Sequence, residues 1–122
     1  MNKKPITAKG AVIVKLSELI KKLDLQLLTN NNYSDREVCG CYIGDLLSWV
    51  MGRASSGDVW ITIMNNINIV AVASLTDCAC ILLAEGVNAQ KEIIQKADSQ
   101  NIVILKSEKT SYELACLISE LI

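Results

Sequence analysis

The sequence predicts an α/β domain with a mostly parallel sheet and flanking helices. Two observations carry this. Residues 58–64, DVWITIM, and 78–84, CACILLA, are continuous apolar runs, the mark of strands buried on both faces. Helix-period stretches alternate with such runs, so the C-terminal two-thirds reads strand, helix, strand, helix, strand, helix. That order is the βαβ grammar and implies right-handed crossovers onto a parallel sheet.

Each element has its own warrant. Leu16, Leu19, Ile20 and Leu23 fall on one helical stripe in KLSELIKKL. LQLL, residues 25–28, reads as a short strand, ended by the polar loop TNNNYSDRE. VCGCYI, 38–43, is extended, and GDLLSWVMGRA is helical with Leu46, Leu47, Val50 and Met51 on one side. The strand DVWITIM follows, and NNIN then caps the short helix IVAVASL. After the strand CACILLA comes the turn EGVN, where Asn88 is placed to cap the helix AQKEIIQKADSQ. IVIL, 102–105, is the last strand. Thr110 with Glu113 three residues on forms a capping box for the helix SYELACLISELI.

The totals bound the function. A chain of 122 residues is the size of one domain. Residues 1–11 read as a flexible leader and 12–122 as a single domain. Twelve Lys and Arg against 13 Asp and Glu give no electrostatic footprint for nucleic acid. The longest uncharged run, Val59 to Thr76, is interrupted by Asn65, Asn66 and Asn68, so no membrane span is expected. The absence of a secretory signal pattern and the odd number of cysteines point to the cytoplasm. An apolar fraction of 51% in a short, near-neutral chain predicts that part of the surface is covered by a second copy in a homodimer.

Cys39 and Cys41, and Cys78 and Cys80, form two Cys-x-Cys pairs. On a regular strand the two sulfurs of such a pair share a face and sit about 6 to 7 Å apart, from a rise of about 3.3 Å per residue. A tetrahedral zinc site needs sulfurs within about 4 Å of each other. The cysteines are therefore expected to be buried core residues with free thiols, and no metal is expected. GRASSG, 52–57, has phosphate-loop glycine spacing but lacks the following Lys-Ser/Thr and precedes a strand instead of following one. No catalytic set is recognised, and with no His the commonest acid–base group is missing. Trp49 and Trp60 are assigned to packing or an interface.

In open α/β sheets ligands bind outside the carboxyl ends of the strands, where helix N-termini offer free N–H groups. The loops there are MNNIN, AEGVN and KSEKTS. Their candidate ligand-binding residues are Asn65, Asn66, Asn68, Glu85, Gly86, Ser107 and Thr110, with Asn88, Lys106 and Ser111 beside them. The structural alternative is that these are ordinary caps and turns, which every helix needs. Lys106 would add a positive charge and Glu85 would oppose a fully anionic ligand. The expected ligand is small and of mixed polarity, such as a nucleoside-like or amide-bearing metabolite.

KLSELIKKLDLQLLTN, DREVCGCYIGDLLSWV, GDVWITIMNNINIVAVASL and CACILLAEG together resemble the DRTGG domain, over about residues 12–122. Through it the chain resembles the N-terminal, non-catalytic domain of HPr kinase/phosphorylase. GDVWITI is also similar to a strand of the N-terminal domains of Mur ligases, which supports the fold alone. Asp35 and Arg36 match the family's Asp-Arg, either as a ligand clamp or as a pin for the loop. Ala84 and Glu85 stand where relatives read Thr and Gly, while Gly86 is kept. The resemblance implies a non-catalytic regulatory or interaction module that senses a small metabolite or docks on a partner protein, with no cofactor. The alternative is a small phosphotransferase or hydrolase acting at the strand C-terminal loops with Lys106, Ser107 and Glu85.

Overall fold

The structure, a computed structural model, describes residues 13–30 and 35–122. The leader expected at 1–11 and residues 31–34 of the polar loop lie outside the described residues. In chain order the elements are β1 (Val14–Lys15), α1 (Leu16–Leu23), β2 (Gln26–Leu27), β3 (Glu37–Val38), β4 (Gly40–Ile43), α2 (Leu47–Arg53) and β5 (Asp58–Thr62). They continue with α3 (Asn68–Thr76), β6 (Cys80–Leu83), α4 (Lys91–Ser99), β7 (Ile104–Lys106) and α5 (Ser111–Leu121). The main sheet has the order β2-β7-β6-β5-β4. Its pairings β4–β5, β5–β6 and β6–β7 are parallel, as the alternating pattern predicts. β2 runs antiparallel beside β7, and β1 pairs antiparallel with β3 in a separate two-stranded sheet.

Strand side chains alternate between two cores. On one face Val59, Ile61, Leu82 and Leu105 meet Leu16, Leu19 and Leu23 of α1 and Leu114 and Ile118 of α5. On the other, Trp60, Ile81, Leu83 and Ile104 meet Val50 of α2, Ile69 and Ala73 of α3, and Ile93 and Ala97 of α4. β5 and β6 are buried along their whole length because helices cover both faces. Trp60 has no exposed surface, and its Nε1–H donates to the Gly44 carbonyl at 2.9 Å. That bond satisfies the polar end of the largest core side chain.

Several local expectations change. The short strand expected at 25–28 is present as β2, but it is only two residues long, both exposed, at the border of the sheet. Asn88 does not cap α4. The N-cap is Gln90, with no side-chain cap bond, because the turn carries the chain two residues further before it can coil. Asn88 instead receives Lys106 Nζ on Oδ1 at 2.7 Å and Asn65 Nδ2 on its carbonyl at 3.0 Å. α2 begins at Leu47, since Asp45 is held in the preceding loop by Thr62 Oγ1 at 2.7 Å and the Ile63 N–H at 3.0 Å.

The cysteine pairs do not share a face as regular strands would have them. Cys80 packs in the first core and Cys78 in the second. The reason is that β6 starts only at Cys80, and Cys78 follows the left-handed turn at Asp77 (φ 58°). Cys39 likewise precedes β4 and is exposed, while Cys41 is half-buried. All five thiols are free, and among the described residues no cluster of His, Cys, Asp or Glu could hold a metal ion. Burial, reinforced by the Asp58 carboxylate, pushes the Cys41 thiol up to about 12.

Candidate functional site

The parallel strands give the sheet a C-terminal and an N-terminal edge, and the chemistry on the two differs. At the C-terminal edge the loops after β5, β6 and β7 gather Asn65, Asn66, Asn68, Glu85, Gly86, Ser107 and Thr110. These groups are largely engaged with one another. Asn66 Oδ1 accepts the Asn68 N–H at 2.9 Å and starts α3. The Glu85 and Gly86 N–H groups donate to the carbonyls of Lys109 and Ser107, each at 2.9 Å. Ser107 Oγ accepts the Lys109 N–H at 3.1 Å. Thr110 and Glu113 form the expected capping box, with both reciprocal bonds present. Lys106 Nζ is held by Asn88 and lies 3.8 Å from Glu108. Glu85 and Gly86 both have positive φ, 63° and 73°, so the turn is a tight left-handed pair. A side chain at residue 86 would meet Glu108 Oε1 at 2.6 Å.

Asp35 and Arg36 lie elsewhere, and the structure does not bring them to that edge. Asp35 has φ 51° and acts on α1: Ser17 donates its backbone N–H at 3.1 Å and its hydroxyl to Asp35 Oδ1. These bonds hold the Asp35 carboxyl below the usual range. Arg36 reaches across to the C-terminus of α3. Its guanidinium donates to Asp77 Oδ1 at 2.9 Å, to the Asp77 carbonyl at 2.8 Å and to Ser56 Oγ at 3.4 Å. Ser56 Oγ in turn donates to Asp77 Oδ2 at 2.6 Å. The Arg36 and Ser56 hydrogen bonds keep the Asp77 carboxyl below its ordinary value.

Sequence reasoning missed what Arg36 borders. A cavity of about 380 Å³ opens at the N-terminal edge of the sheet. Its walls come from Arg36, the last turn of α3 at Ala73 and Ser74, residues 77–79 before β6, and residues 100–103 before β7. Small side chains at Ala73, Ser74 and Ala79 leave the space. Asp77 and Asn101 (φ 58° and 59°) stand at the ends of α3 and α4 in the left-handed region, where glycine would be least strained. Two non-glycine residues in that region, Asp77 and Asn101, were the signal in the sequence, but only once the helix ends were known.

A further acidic group is buried nearby. Asp58 at the start of β5 is 8% exposed and accepts the Ser55 N–H at 2.8 Å. Desolvation raises its pKa despite that bond. Its Oδ1 lies where a side chain on residue 40 would be, so Gly40 is the residue that fits there.

The chain matches the DRTGG domain over residues 18–121. No curated protein matches it. Among solved structures it is similar to the CBS and DRTGG domains of the regulatory region of Clostridium perfringens pyrophosphatase, which was solved with its activator, diadenosine tetraphosphate. The TM-score is 0.73 at 21% identity, over 100% of this chain and 52% of that one. The likeness establishes the fold, and the chain spans about half the length of that neighbour. No helix of the described residues is long and apolar enough to cross a membrane.

Proposed function

The chain belongs to the DRTGG domain family, and from that premise we propose that it is a non-catalytic regulatory module that senses a small molecule. The observation that carries this reading is the full-length fit of the chain to a fold found in a regulatory region solved with a nucleotide activator. The chemistry of the C-terminal edge supports it. Lys106 and Ser107, which a phosphotransferase would need free, are held by Asn88 and Glu108 and in a turn, and Glu85 lies in a tight left-handed turn. The polar loops at 63–67, 84–90 and 107–110 offer a small ligand of mixed polarity groups with which to exchange hydrogen bonds.

The reading includes a cytoplasmic homodimer. Ile43, Leu46, Trp49, Met51, Ile63 and Ile67 are all large and exposed, with Leu46 at 60% and Trp49 at 53%. They come from the end of β4, the turn before α2, α2 itself and the loop between β5 and α3. Leu117 and Leu121 of α5 instead pack partly on the first core. The α2 side therefore supplies the apolar area that a two-fold contact needs.

The test is calorimetric titration with adenosine, AMP, diadenosine tetraphosphate, acetyl phosphate and phosphate, followed by NMR of the recovered ligand. Saturable binding of an unchanged compound is expected. Turnover of any of these compounds, or no binding of any at millimolar concentration, refutes the sensing role.

A further inference from the structure

The cavity at the N-terminal edge of the sheet has a definite chemistry. α3 and α4 both end there, so their last carbonyls and the negative ends of their dipoles face this side. The Asp77 carboxylate adds a full negative charge on the rim, balanced by Arg36 at 2.9 Å. The local charge of the pair is zero. The Asn101 and Gln100 amides and the Ser74 hydroxyl offer both donors and acceptors, and the five N–H donors of Arg36 exceed its three side-chain bonds among the described residues. Ala73, Ala79 and Val103 are apolar and buried beneath them. The volume of about 380 Å³ falls in the range of small-ligand sites.

An anion is the wrong guest here, because it would meet Asp77 and two helix C-termini with one guanidinium already engaged. A bare cation would compete with Arg36. A flat, uncharged ring with amino donors and ring-nitrogen acceptors on its edge matches both the acceptor-rich helix ends and the donors of Arg36 and the amides. We propose that the groove between the ends of α3 and α4, rimmed by Arg36, Asp77 and Asn101, binds a nucleobase or its nucleoside. This rests on the small-molecule-sensing reading and gives it a site, on the edge opposite the strand C-terminal loops.

The experiment is an NMR titration of the ¹⁵N-labelled chain with adenosine, AMP and inorganic phosphate. Three proteins are compared: wild type, Ser74→Leu and Asn101→Gly. Ser74 is exposed, so leucine there fills the groove from its rim without entering the core. Glycine suits the positive φ of residue 101 and removes only the amide. Adenosine is expected to shift the amides of Ala79, Asn101 and Ile102 saturably. Each variant should weaken it at least about tenfold, and the 5′-phosphate should add less than about tenfold. Phosphate alone should leave these amides unmoved. Adenosine shifts confined to Asn65, Glu85 and Thr110 would overturn the site while leaving the sensing role standing. Adenosine binding unweakened in both variants, or tight binding of phosphate in the groove, would overturn it as well. Silence toward all three ligands would refute the groove, and the wider titration above then decides the sensing role separately.

Discussion

Arg36 and Asp77, 41 residues apart in sequence, are joined twice, by a carboxylate bond at 2.9 Å and a carbonyl bond at 2.8 Å. The same Asp77 carbonyl accepts the Gly57 N–H at 3.0 Å. One residue at the end of α3 thus ties the loop before β3 to the turn before β5. The pair is partly exposed, with side-chain accessibilities of 33% and 62%, so screening limits its worth. Arg36→Ala is expected to lower stability by about 1 kcal/mol at neutral pH. The Asp77 carboxyl is depressed in the folded state, so its contribution is present above its unfolded pKa and fades as pH falls through the folded one. Urea unfolding of wild type and Asp77→Asn should therefore differ at pH 7 and converge near pH 2. A difference that persists in acid would show that charge is not the cause.

Asp58 has the opposite sign. Its folded pKa is raised by desolvation, so the stability it allows is full below its unfolded pKa and lost as pH rises through the folded value. Asp58→Asn keeps an acceptor for the Ser55 N–H and should melt higher than wild type at pH 7. The gap should close toward pH 3. An equal or lower melting temperature at pH 7 would contradict this.

At the turn after β6, Glu85 occupies φ 63° and Gly86 φ 73°. Glu85→Gly should stabilise the chain by about 1 kcal/mol, because the left-handed strain on a side chain is removed. Gly86→Ala should cost about 1 to 2 kcal/mol for the same reason. The 2.6 Å approach to Glu108 Oε1 adds little, since that side chain is 84% exposed and can swing away. Thermal unfolding of both variants checks the pair of signs.

Thiol labelling separates the cysteines by burial. Cys39 and Cys116 are exposed and should react with an aromatic disulfide reagent in the native state. Cys78 and Cys80 are buried, and desolvation raises both thiols, so they should react only on unfolding. Cys41, at about 12, should lag behind the exposed pair. Prompt labelling of Cys80 in the folded protein would contradict the packing described.

If the proposed two-fold contact uses the α2 side, Trp49→Glu should give a monomer with little change in the melting of the fold, because the ring lies outside both cores. Arg53 stacks on it at 3.8 Å from the ring centroid, so Arg53→Ala should weaken dimerisation less. Light scattering at tens of micromolar reads the outcome, and a dimer that survives Trp49→Glu places the contact elsewhere.

What the sequence made legible was local. The runs around Val59 and Ile81 showed buried parallel strands, because only helices on both faces tolerate continuous apolar residues. The Thr110–Glu113 spacing showed a helix start, since a capping box spans three residues. The direction of β2 was not legible, because two exposed residues carry no pattern. Nor were the faces of Cys78 and Cys80, which depend on a left-handed residue at Asp77 that breaks strand alternation. The placement of Arg36 depends on a partner far along the chain, and the cavity beside it exists only where small residues from separate elements meet.

The two borders of the sheet are unequal. β2 offers two residues in pairing to β7, whereas β4 offers four in pairing to β5. A border of two residues is too short to template another strand, but one of four has a ladder side to share. Among the described residues of the main sheet, β4 is therefore the border on which a strand-to-strand contact between copies is expected. A pairing of β4 with β4 would leave only the short β2 borders at the two ends of the joined sheet, which give little ladder for a third copy.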